Sequence, residues 1–413
     1  MTAIFVPCAQ GLEALLTAEL SGIAGRAAEA GRGGAWVDGD LALAMRLNLE
    51  CRLGQRVLWP LIDGPYRDEH ALYELARRVP WTDWITPEQT LRVDVQAQHS
   101  PLKSLNFAAL RIKDALCDVL RDATGARPSV DTRHPTLPLL LFLGPEHATL
   151  YVDTSGEALF KRGWRDARGG SQAVKGEAPL KETLAAAMLA AAGWQGRAED
   201  GPLLDPCCGA GTIAIEAAQL ACGIAPGAQR RFAFERLRPF QPLRARWQQM
   251  KAEAQARVHA PAVPVFAGDV SFRMTDFAAR NAERAGVAHA IEFKTADALQ
   301  RPPPAAAGTL IMNPPYGERI APKGQGQGHQ PQHAPREAFE GGADAPAFFS
   351  ALAANWKRHY GGWTAWCLSP EMKLPGLMRL KESRRVPMWN GAIECRLFRF
   401  DLVAGSHRDR PLA

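Results

Sequence analysis

The chain has 413 residues, of which 46% are hydrophobic and 22% are charged, and its net charge is +6. This is an ordinary globular composition, and the length is sufficient for two or three domains. No apolar run is long enough to span a membrane and residues 1–20 have no basic leader, so we expect a cytoplasmic protein without a signal peptide. The small excess of positive charge permits nucleic-acid binding without establishing it.

Cysteine and histidine spacing predicts neither disulfides nor a metal site. The eight cysteines form no Cys-x-x-Cys pair, and the neighbours Cys207 and Cys208 make a poor disulfide. We therefore expect free thiols in a reducing compartment. His329 and His333 lie in a Gly-, Gln-, His- and Pro-rich segment, residues 322–346, without a cysteine or carboxylate at ligand spacing.

Apolar periodicity predicts alternating strands and helices over the first 160 residues. The predicted strands are Ile4–Pro7, Gly34–Gly39, Thr90–Ala97, Leu137–Leu143 and Thr149–Val152. The predicted helices are Gly11–Leu20, Asp40–Leu53, His70–Arg78 and Lys103–Arg121. We expect a small α+β unit over residues 1–55 and a second module over residues 56–158.

Two segments that combine basic and aromatic residues are candidate RNA contacts, because cations hold phosphates and rings stack on bases. The first is the junction after the second module, with Lys161, Arg162, Trp164 and Arg165. Anchoring of an interdomain linker explains its aromatic residues equally well. The second segment, residues 226–242, includes Arg230 and Arg231.

The remaining elements predict an α/β domain over residues 168–405. The predicted strands are Leu203–Asp205, Val263–Gly268, Ala290–Lys294, Thr309–Met312, Gly362–Leu368 and Ile393–Leu402. The predicted helices are Glu182–Ala192, Arg244–Val258, Met274–Ala285 and Ala347–Tyr360. This alternation favours a mostly parallel sheet with helices on both faces and ligands at the carboxyl ends of its strands.

A glycine-rich turn follows the first strand of this domain. Gly209 and Gly211 allow positive φ and close approach of a ligand, toward which the next helix would direct free N–H groups. The spacing also fits a dinucleotide fingerprint, but the acidic strand end, Asp269, comes much later than about 20 residues downstream. Asp205, before the glycines, would repel a pyrophosphate and suits a cationic ligand instead.

A second motif, Asn313-Pro314-Pro315-Tyr316, ends the predicted strand Thr309–Met312. The prolines keep this loop extended, so it offers an amide, prolyl carbonyls and a ring to one small ligand. A nucleobase with an exocyclic amino group fits such a loop. A proline-rich turn with Tyr316 packed locally is the alternative.

Together, Asp205-Pro206-x-x-Gly209-x-Gly211-Thr212, Asp269 and Asn313-Pro314-Pro315-Tyr316 resemble class I S-adenosylmethionine-dependent methyltransferases that act on exocyclic amino nitrogens. Residues 178–187 and 313–319 narrow the resemblance to bacterial 23S ribosomal RNA guanine-N2 methyltransferases, specifically the N-terminal half of the fused RlmKL type. The resemblance runs from Ile4 to about Val403, and we expect no second methyltransferase half.

This resemblance implies a ferredoxin-like subdomain (1–55), a THUMP RNA-binding domain (56–158) and a Rossmann-like methyltransferase domain (168–405). It also implies a monomer that acts on large-subunit RNA, either as naked RNA or in an early assembly particle. It implies that S-adenosylmethionine is the cofactor, with Asp269 at the ribose and Asp297 at the adenine amino group. The implied cofactor-binding residues are Asp205, Pro206, Gly209, Gly211, Thr212, Asp269 and Asp297.

Catalysis is implied for Asn313, Pro314, Pro315 and Tyr316, with the target base swung out of its stack. Adenine-N6 methyltransferases and glutamine-N5 methyltransferases of release factors share this loop, but the RNA-type N-terminal module argues against protein and DNA substrates. A non-catalytic RNA-binding or ribosome-assembly factor stays open as an alternative. A nicotinamide oxidoreductase is disfavoured by Asp205 and the distant Asp269.

Overall fold

The computed structural model describes residues 2–165, 180–314 and 345–403. The chain divides into two compact units. The first comprises Met1–Arg162 and Ala225–Ala256, and the second Gly163–Ile224 and Arg257–Ala413. Each unit contains one sheet with helices, and the predicted mixed α/β class is confirmed.

The described residues form ten α-helices and fifteen β-strands. The helices are α1 (Glu13–Ala24), α2 (Leu41–Glu50), α3 (Glu69–Arg77), α4 (Leu105–Thr124), α5 (Glu182–Ala192), α6 (Thr212–Ala221), α7 (Arg244–Ala256), α8 (Phe272–Arg284), α9 (Ala345–His359) and α10 (Leu374–Met378). The strands are β1 (Thr2–Pro7), β2 (Glu29–Gly31), β3 (Gly34–Gly39), β4 (Leu58–Pro65), β5 (Thr90–Ala97), β6 (Ser129–Val130), β7 (Leu137–Leu143), β8 (His147–Asp153), β9 (Leu203–Asp205), β10 (Val265–Asp269), β11 (Ile291–Thr295), β12 (Gly308–Met312), β13 (Trp363–Ser369), β14 (Arg384–Asn390) and β15 (Ile393–Asp401).

The sheet of the first unit has the order β2-β3-β1-β4-β8-β7-β5-β6. Strands β1 and β3 pair antiparallel, and β5 and β7 pair parallel over the full length of β7. Strand β7 is almost entirely buried, which explains its continuous apolar run. None of the helices in the described ranges has the length and apolar character that crossing a bilayer requires.

Segment 225–256 belongs to the first unit, although the chain on both sides of it belongs to the second. Gly227 shows how closely it packs, because its N–H donates to the Leu49 carbonyl at 2.9 Å. A Cβ atom at this position would lie 2.7 Å from the Asn48 carbonyl oxygen and 2.9 Å from the Leu49 Cα. Only glycine fits against this backbone.

Gly227→Ala is therefore expected to lower the free energy of unfolding by about 1–3 kcal/mol, because backbone atoms cannot move aside cheaply. Gly22→Ala is the matched control, since a Cβ at this α1 position would meet nothing within 4 Å. The control should gain about 0.5–1 kcal/mol from helix propensity. Urea denaturation measures both changes, and a Gly227→Ala protein as stable as the native one would contradict the close packing.

The sheet of the second unit has the order β11-β10-β9-β12-β13-β15-β14. The first five strands of this order pair parallel, and β15 runs antiparallel to both β13 and β14. The chain leaves β9 toward β10 on one side and later returns to β12 on the other. This reversal between β9 and β12 is a topological switch point, where doubly wound sheets bind their ligands at the carboxyl edge.

Candidate active site

Four neighbouring parallel strands end in, or just before, the polar residues that the sequence singles out. Asp205 ends β9 and Asp269 ends β10, whereas Asn313 directly follows β12 and Asp297 comes two residues after β11. Because Ala267 pairs with Asp205 and Leu310 with Leu204, all four side chains lie at one carboxyl edge. The structure therefore brings the predicted residues of the two motifs to a common edge of the sheet.

The glycine turn is fixed by hydrogen bonds from both sides. Gly209 donates its N–H to the Asp269 Oδ2 at 3.0 Å, and Cys208 donates to the Gly268 carbonyl at 2.7 Å. On the other side, the Asn281 side-chain amide donates to the Ala210 carbonyl at 2.8 Å. A small ligand therefore meets a preformed turn.

The two glycines are needed for different reasons. Both have positive φ, +50° for Gly209 and +82° for Gly211. A Cβ at Gly211 would lie 3.0 Å from the Ala278 Cβ, whereas one at Gly209 would stand in open space. Gly211 thus permits close helix packing, and Gly209 leaves room beside the carboxyl edge.

Asp205 has a buried carboxyl group, and one of its oxygens accepts no hydrogen bond from the described residues. Only 1% of the residue is exposed, and within the described residues its Oδ2 accepts no hydrogen bond. Burial raises the pKa of Asp205 to about 8, the negative charge of Asp269 adds to the rise, and the Cys207 N–H and Arg301 oppose it. A cation placed beside Asp205 would favour its charged form, which is the property of a cation-binding carboxylate.

The two other acidic residues retain free acceptor capacity. Asp269 accepts from the Ser271 and Gly209 N–H groups, and burial raises its pKa more than these bonds lower it. Asp297 accepts from the Leu299 N–H at 2.9 Å through one oxygen. Since an ionised carboxylate offers about four acceptor positions, both can receive further hydroxyl or amino donors.

Asn313 has a second buried oxygen without a hydrogen-bond donor among the described residues. Its side-chain oxygen is buried and has no donor among the residues that the structure describes. Pro314 follows it and is buried, while Pro315 and Tyr316 lie outside the described residues. A buried amide oxygen costs free energy unless a donor reaches it, so this position suits a ligand with an N–H group.

Pro206 and Thr212 complete the predicted cofactor set, and both are buried. The Thr212 hydroxyl accepts a hydrogen bond from the Arg165 guanidinium, whose Nε lies 2.6 Å from the buried Glu182 carboxylate. Arg165 therefore braces the start of α6. This contact gives Arg165 a role beside the glycine turn that differs from the RNA contact expected from the sequence.

The other predicted RNA contacts differ in accessibility. Trp164 is 1% exposed and Arg162 is buried with donations to the Leu159 and Arg52 carbonyls, so neither presents a surface to RNA. Arg230 donates to the Ala158 and Glu157 carbonyls, and burial lowers its pKa to about 10. Lys161 is exposed beside Glu157, and Arg231 is exposed. Of the predicted RNA-contact residues, Lys161 and Arg231 are therefore the ones whose side chains are accessible to RNA.

Val270 and Phe272, which follow the Asp269 strand end, are not among the site residues predicted from the sequence. These apolar residues are 49% and 74% exposed. Their exposure beside the polar edge makes them accessible to a ligand bound there. In the sequence, the signal that could have identified them was an apolar residue immediately after the acidic residue that ends the strand.

All eight cysteines are free thiols, as expected. Cys207, in the glycine turn, is half-buried, and the other seven are buried. No group of three potential metal ligands occurs among residues 2–165, 180–314 and 345–403. His329 and His333 lie outside those ranges.

Three segments of the chain are similar to known domain families. The chain matches an RlmL ferredoxin-like domain over residues 3–58, a THUMP domain over residues 66–153 and an RMKL-like methyltransferase domain over residues 168–331. By these matches, the chain is similar to proteins that combine a THUMP domain with a methyltransferase domain. The domains predicted over 1–55, 56–158 and 168–405 overlap these matched ranges.

More particularly, the chain is similar to ribosomal RNA large subunit methyltransferases K/L. It is 35% identical over 418 residues to that protein of Shewanella baltica strain OS195 and 34% identical to that of Shewanella oneidensis. Both alignments include the whole chain, which spans about half (55%) of each relative. The resemblance to the RlmL type is thereby confirmed.

Solved structures show the same fold. A putative methyltransferase complexed with SAH superposes with a TM-score of 0.82 at 23% identity, covering 98% of this chain and 99% of the other. A predicted N6-adenine-specific DNA methylase from Listeria monocytogenes gives a TM-score of 0.80 at 25% identity, with 97% and 96% coverage.

Proposed function

We propose that this protein transfers a methyl group from S-adenosylmethionine to the exocyclic N2 of a guanine in large-subunit ribosomal RNA, acting as a cytoplasmic monomer. One observation carries the proposal. Two neighbouring strands end in buried acceptors without donors among the described residues, the Asp205 carboxylate and the Asn313 amide. The first suits a cation and the second an amino group. Relatives named as large-subunit RNA methyltransferases support the RNA substrate.

The residues at the carboxyl edge fit S-adenosylmethionine, which supplies an electrophilic methyl group on a positively charged sulfur. Asp205 offers a buried carboxyl group that would ionise beside a bound cation, and Gly209 leaves space for close approach. Asp269 would accept from ribose hydroxyls and Asp297 from the adenine amino group. The exposed Val270 and Phe272 side chains would contact the faces of a purine.

Asn313 and Pro314 would position the guanine amino group. Their side-chain and main-chain oxygens would accept its two hydrogens, which directs the nitrogen lone pair out of the ring plane. Transfer would break the methyl–sulfur bond as the N–C bond forms and would leave a neutral thioether. The methylated nitrogen would then be acidic and pass a proton to water, so neither residue has to act as a strong base. The contribution of this loop is positioning, and in this proposal Tyr316 stacks on the base and Pro315 stiffens the loop.

Cofactor affinity is expected to rise with pH until about pH 8. The pKa of Asp205, raised by burial to about 8, keeps the carboxyl largely protonated at neutral pH in the free protein. A cation binds the ionised form better, so binding releases a proton, and affinity should gain up to about tenfold per pH unit below the pKa. Calorimetry below and up to pH 8, in buffers of different ionisation enthalpy, measures both the cofactor affinity and the number of protons released on binding.

The cofactor's own amino group also titrates and contributes to the pH dependence of cofactor affinity. Asp205→Asn should leave that contribution and remove the rest. Asp276→Asn, at an exposed α8 position paired with Arg280, should leave it intact. Equal profiles for the native and Asp205→Asn proteins would show that Asp205 does not bind the cation.

Methyl incorporation tests the proposed class of reaction. Labelled S-adenosylmethionine is incubated with the protein and either protein-free bacterial ribosomal RNA, bacterial DNA or release factors. We expect label in the large-subunit RNA and none in DNA or protein. Label in release factors, or in no acceptor although the cofactor binds, would contradict the proposal and favour a protein methyltransferase or an assembly factor.

A further inference from the structure

The basic and aromatic side chains of segment 225–256 face in different directions. Phe232, Phe234, Phe240 and Trp247 are all buried. The Phe232 and Phe234 rings stack at 5.5 Å, and the Trp247 ring meets them edge-on at 5.9 and 5.0 Å. These rings form a core within the first unit and do not offer stacking surfaces to bases. They fix the backbone from which the arginines project.

Three exposed arginines of this segment, Arg236, Arg238 and Arg244, line a cleft together with Gln89 and Thr136. The Arg236 Nη2 donates to the Pro135 carbonyl at 2.8 Å, and the Arg238 Nη1 donates to the Thr82 carbonyl at 2.6 Å. Each bond holds one corner of a planar guanidinium. The other N–H groups keep a defined direction and remain available to a ligand.

Among the described residues, the three arginines of this cleft form no ion pair. Some other exposed arginines of the same unit are paired, for example Arg77 with Asp122 and Arg121 with Asp118. In the described part of the chain, Arg236, Arg238 and Arg244 have no carboxylate within 4.0 Å. Glu235, which also lines the cleft, instead accepts from the Phe232 N–H at 2.8 Å.

Arg244 lies at the amino-terminal end of a helix. It begins α7, a helix of 13 residues with no acidic residue in its first turn. A cation at the positive end of a helix dipole lowers stability, and an anion bound there would offset that cost. A cleft with fixed guanidinium groups at such a position therefore favours a ligand with a negative charge and several acceptor oxygens.

We propose that Arg236, Arg238 and Arg244, with Gln89 and Thr136, form a site for backbone phosphates of RNA. The identity of this ligand rests on the proposed function, because RNA is the polyanion that the enzyme would have to hold. The buried aromatic residues leave no base-stacking surface in the cleft, so the site contacts phosphates independently of base sequence. It anchors RNA to the first unit.

The test compares the salt dependence of RNA binding by two triple variants. Arg236→Gln/Arg238→Gln/Arg244→Gln removes the three cleft charges. Arg77→Gln/Arg121→Gln/Arg127→Gln removes three exposed charges of the same unit that lie beside Asp118 or Asp122. The probe is protein-free bacterial 23S ribosomal RNA in a filter-binding assay from about 50 to 300 mM KCl.

We expect the cleft variant to lose about one unit of slope per arginine in a plot of log K against log salt. At about 0.15 M salt, its affinity should be about tenfold to a hundredfold lower. The control variant should change by less than one unit of slope. Arg244→Gln alone should lose about one unit without a fall in melting temperature, since no hydrogen bond of that side chain is found among the described residues.

Each other outcome has a definite meaning. Native-like binding by the cleft variant, or an equal loss in both triple variants, would overturn the phosphate site while leaving the proposed function intact. A native protein that binds S-adenosylmethionine but no ribosomal RNA would instead refute the proposed RNA substrate, and the identity of the cleft ligand with it.

Discussion

Asn313→Ala is expected to lower kcat by about 10²–10³-fold, comparable to the loss of one preorganised polar contact in other active sites. The substitution removes the buried oxygen that would hold an amino hydrogen of the target base. Cofactor affinity should stay unchanged, because this residue is proposed to contact the base alone. Single-turnover methyl transfer and calorimetric cofactor binding measure the two quantities separately.

Thr309→Val is the matched control, since Thr309 lies near the start of β12 and Asn313 directly follows its end. This variant should transfer methyl groups at the native rate. An Asn313→Ala protein with native turnover would remove Asn313 from the catalytic set. A parallel loss of cofactor affinity would show that Asn313 serves cofactor binding instead.

Asp269→Ala is expected to weaken cofactor binding by about tenfold to a hundredfold, the range for a hydrogen bond to a charged group. The carboxylate has two proposed tasks, which are to accept from the ribose and to hold the Gly209 N–H at 3.0 Å. With saturating cofactor, kcat should fall much less than affinity, because Asp269 does not contact the reacting nitrogen. Calorimetry and steady-state kinetics provide this comparison.

Asp276→Ala provides the control for this substitution. Asp276 lies on α8, seven positions further along the chain, where its exposed carboxylate pairs with Arg280. Its cofactor affinity should equal that of the native protein. Unchanged affinity in Asp269→Ala as well would show that the ribose assignment is wrong.

Elements with strong local patterns could be predicted from the sequence to the residue. Strands β5 and β7 and helix α5 have the predicted bounds. Strand β5 alternates, strand β7 is continuously apolar, and helix α5 is rich in alanine and ends at Gly193 in the left-handed region. In each case the local preference and the tertiary environment agree.

Elements with conflicting local signals were missed. Strand β4 contains Pro60, where its pairing with β8 shifts register, and proline weakens any strand signal. Strand β14 begins with Arg384 and Arg385, two charged residues that weaken a strand signal in the sequence. It forms the edge of its sheet, where charged residues are common because they prevent further pairing.

The carboxyl-edge residues could be placed from sequence because alternating strands and helices predict parallel strands, whose carboxyl ends share one edge of the sheet. Burial could not be predicted in this way. Trp164 and Arg162 have the composition of an RNA contact, but tertiary packing covers them. The assignment of segment 225–256 to the first unit was likewise inaccessible, since it depends on contacts such as Gly227 with Leu49 that are far apart in the chain.

Identification of the methylated nucleoside tests the central claim most directly. Protein-free 23S ribosomal RNA is treated with the protein and isotope-labelled S-adenosylmethionine, digested to nucleosides and analysed by mass spectrometry. We predict labelled N2-methylguanosine, absent when Asn313→Ala replaces the native protein at the same short reaction time. Labelled N6-methyladenosine would contradict the guanine assignment while retaining the positioning mechanism, and an absence of any labelled nucleoside would contradict the proposed function itself.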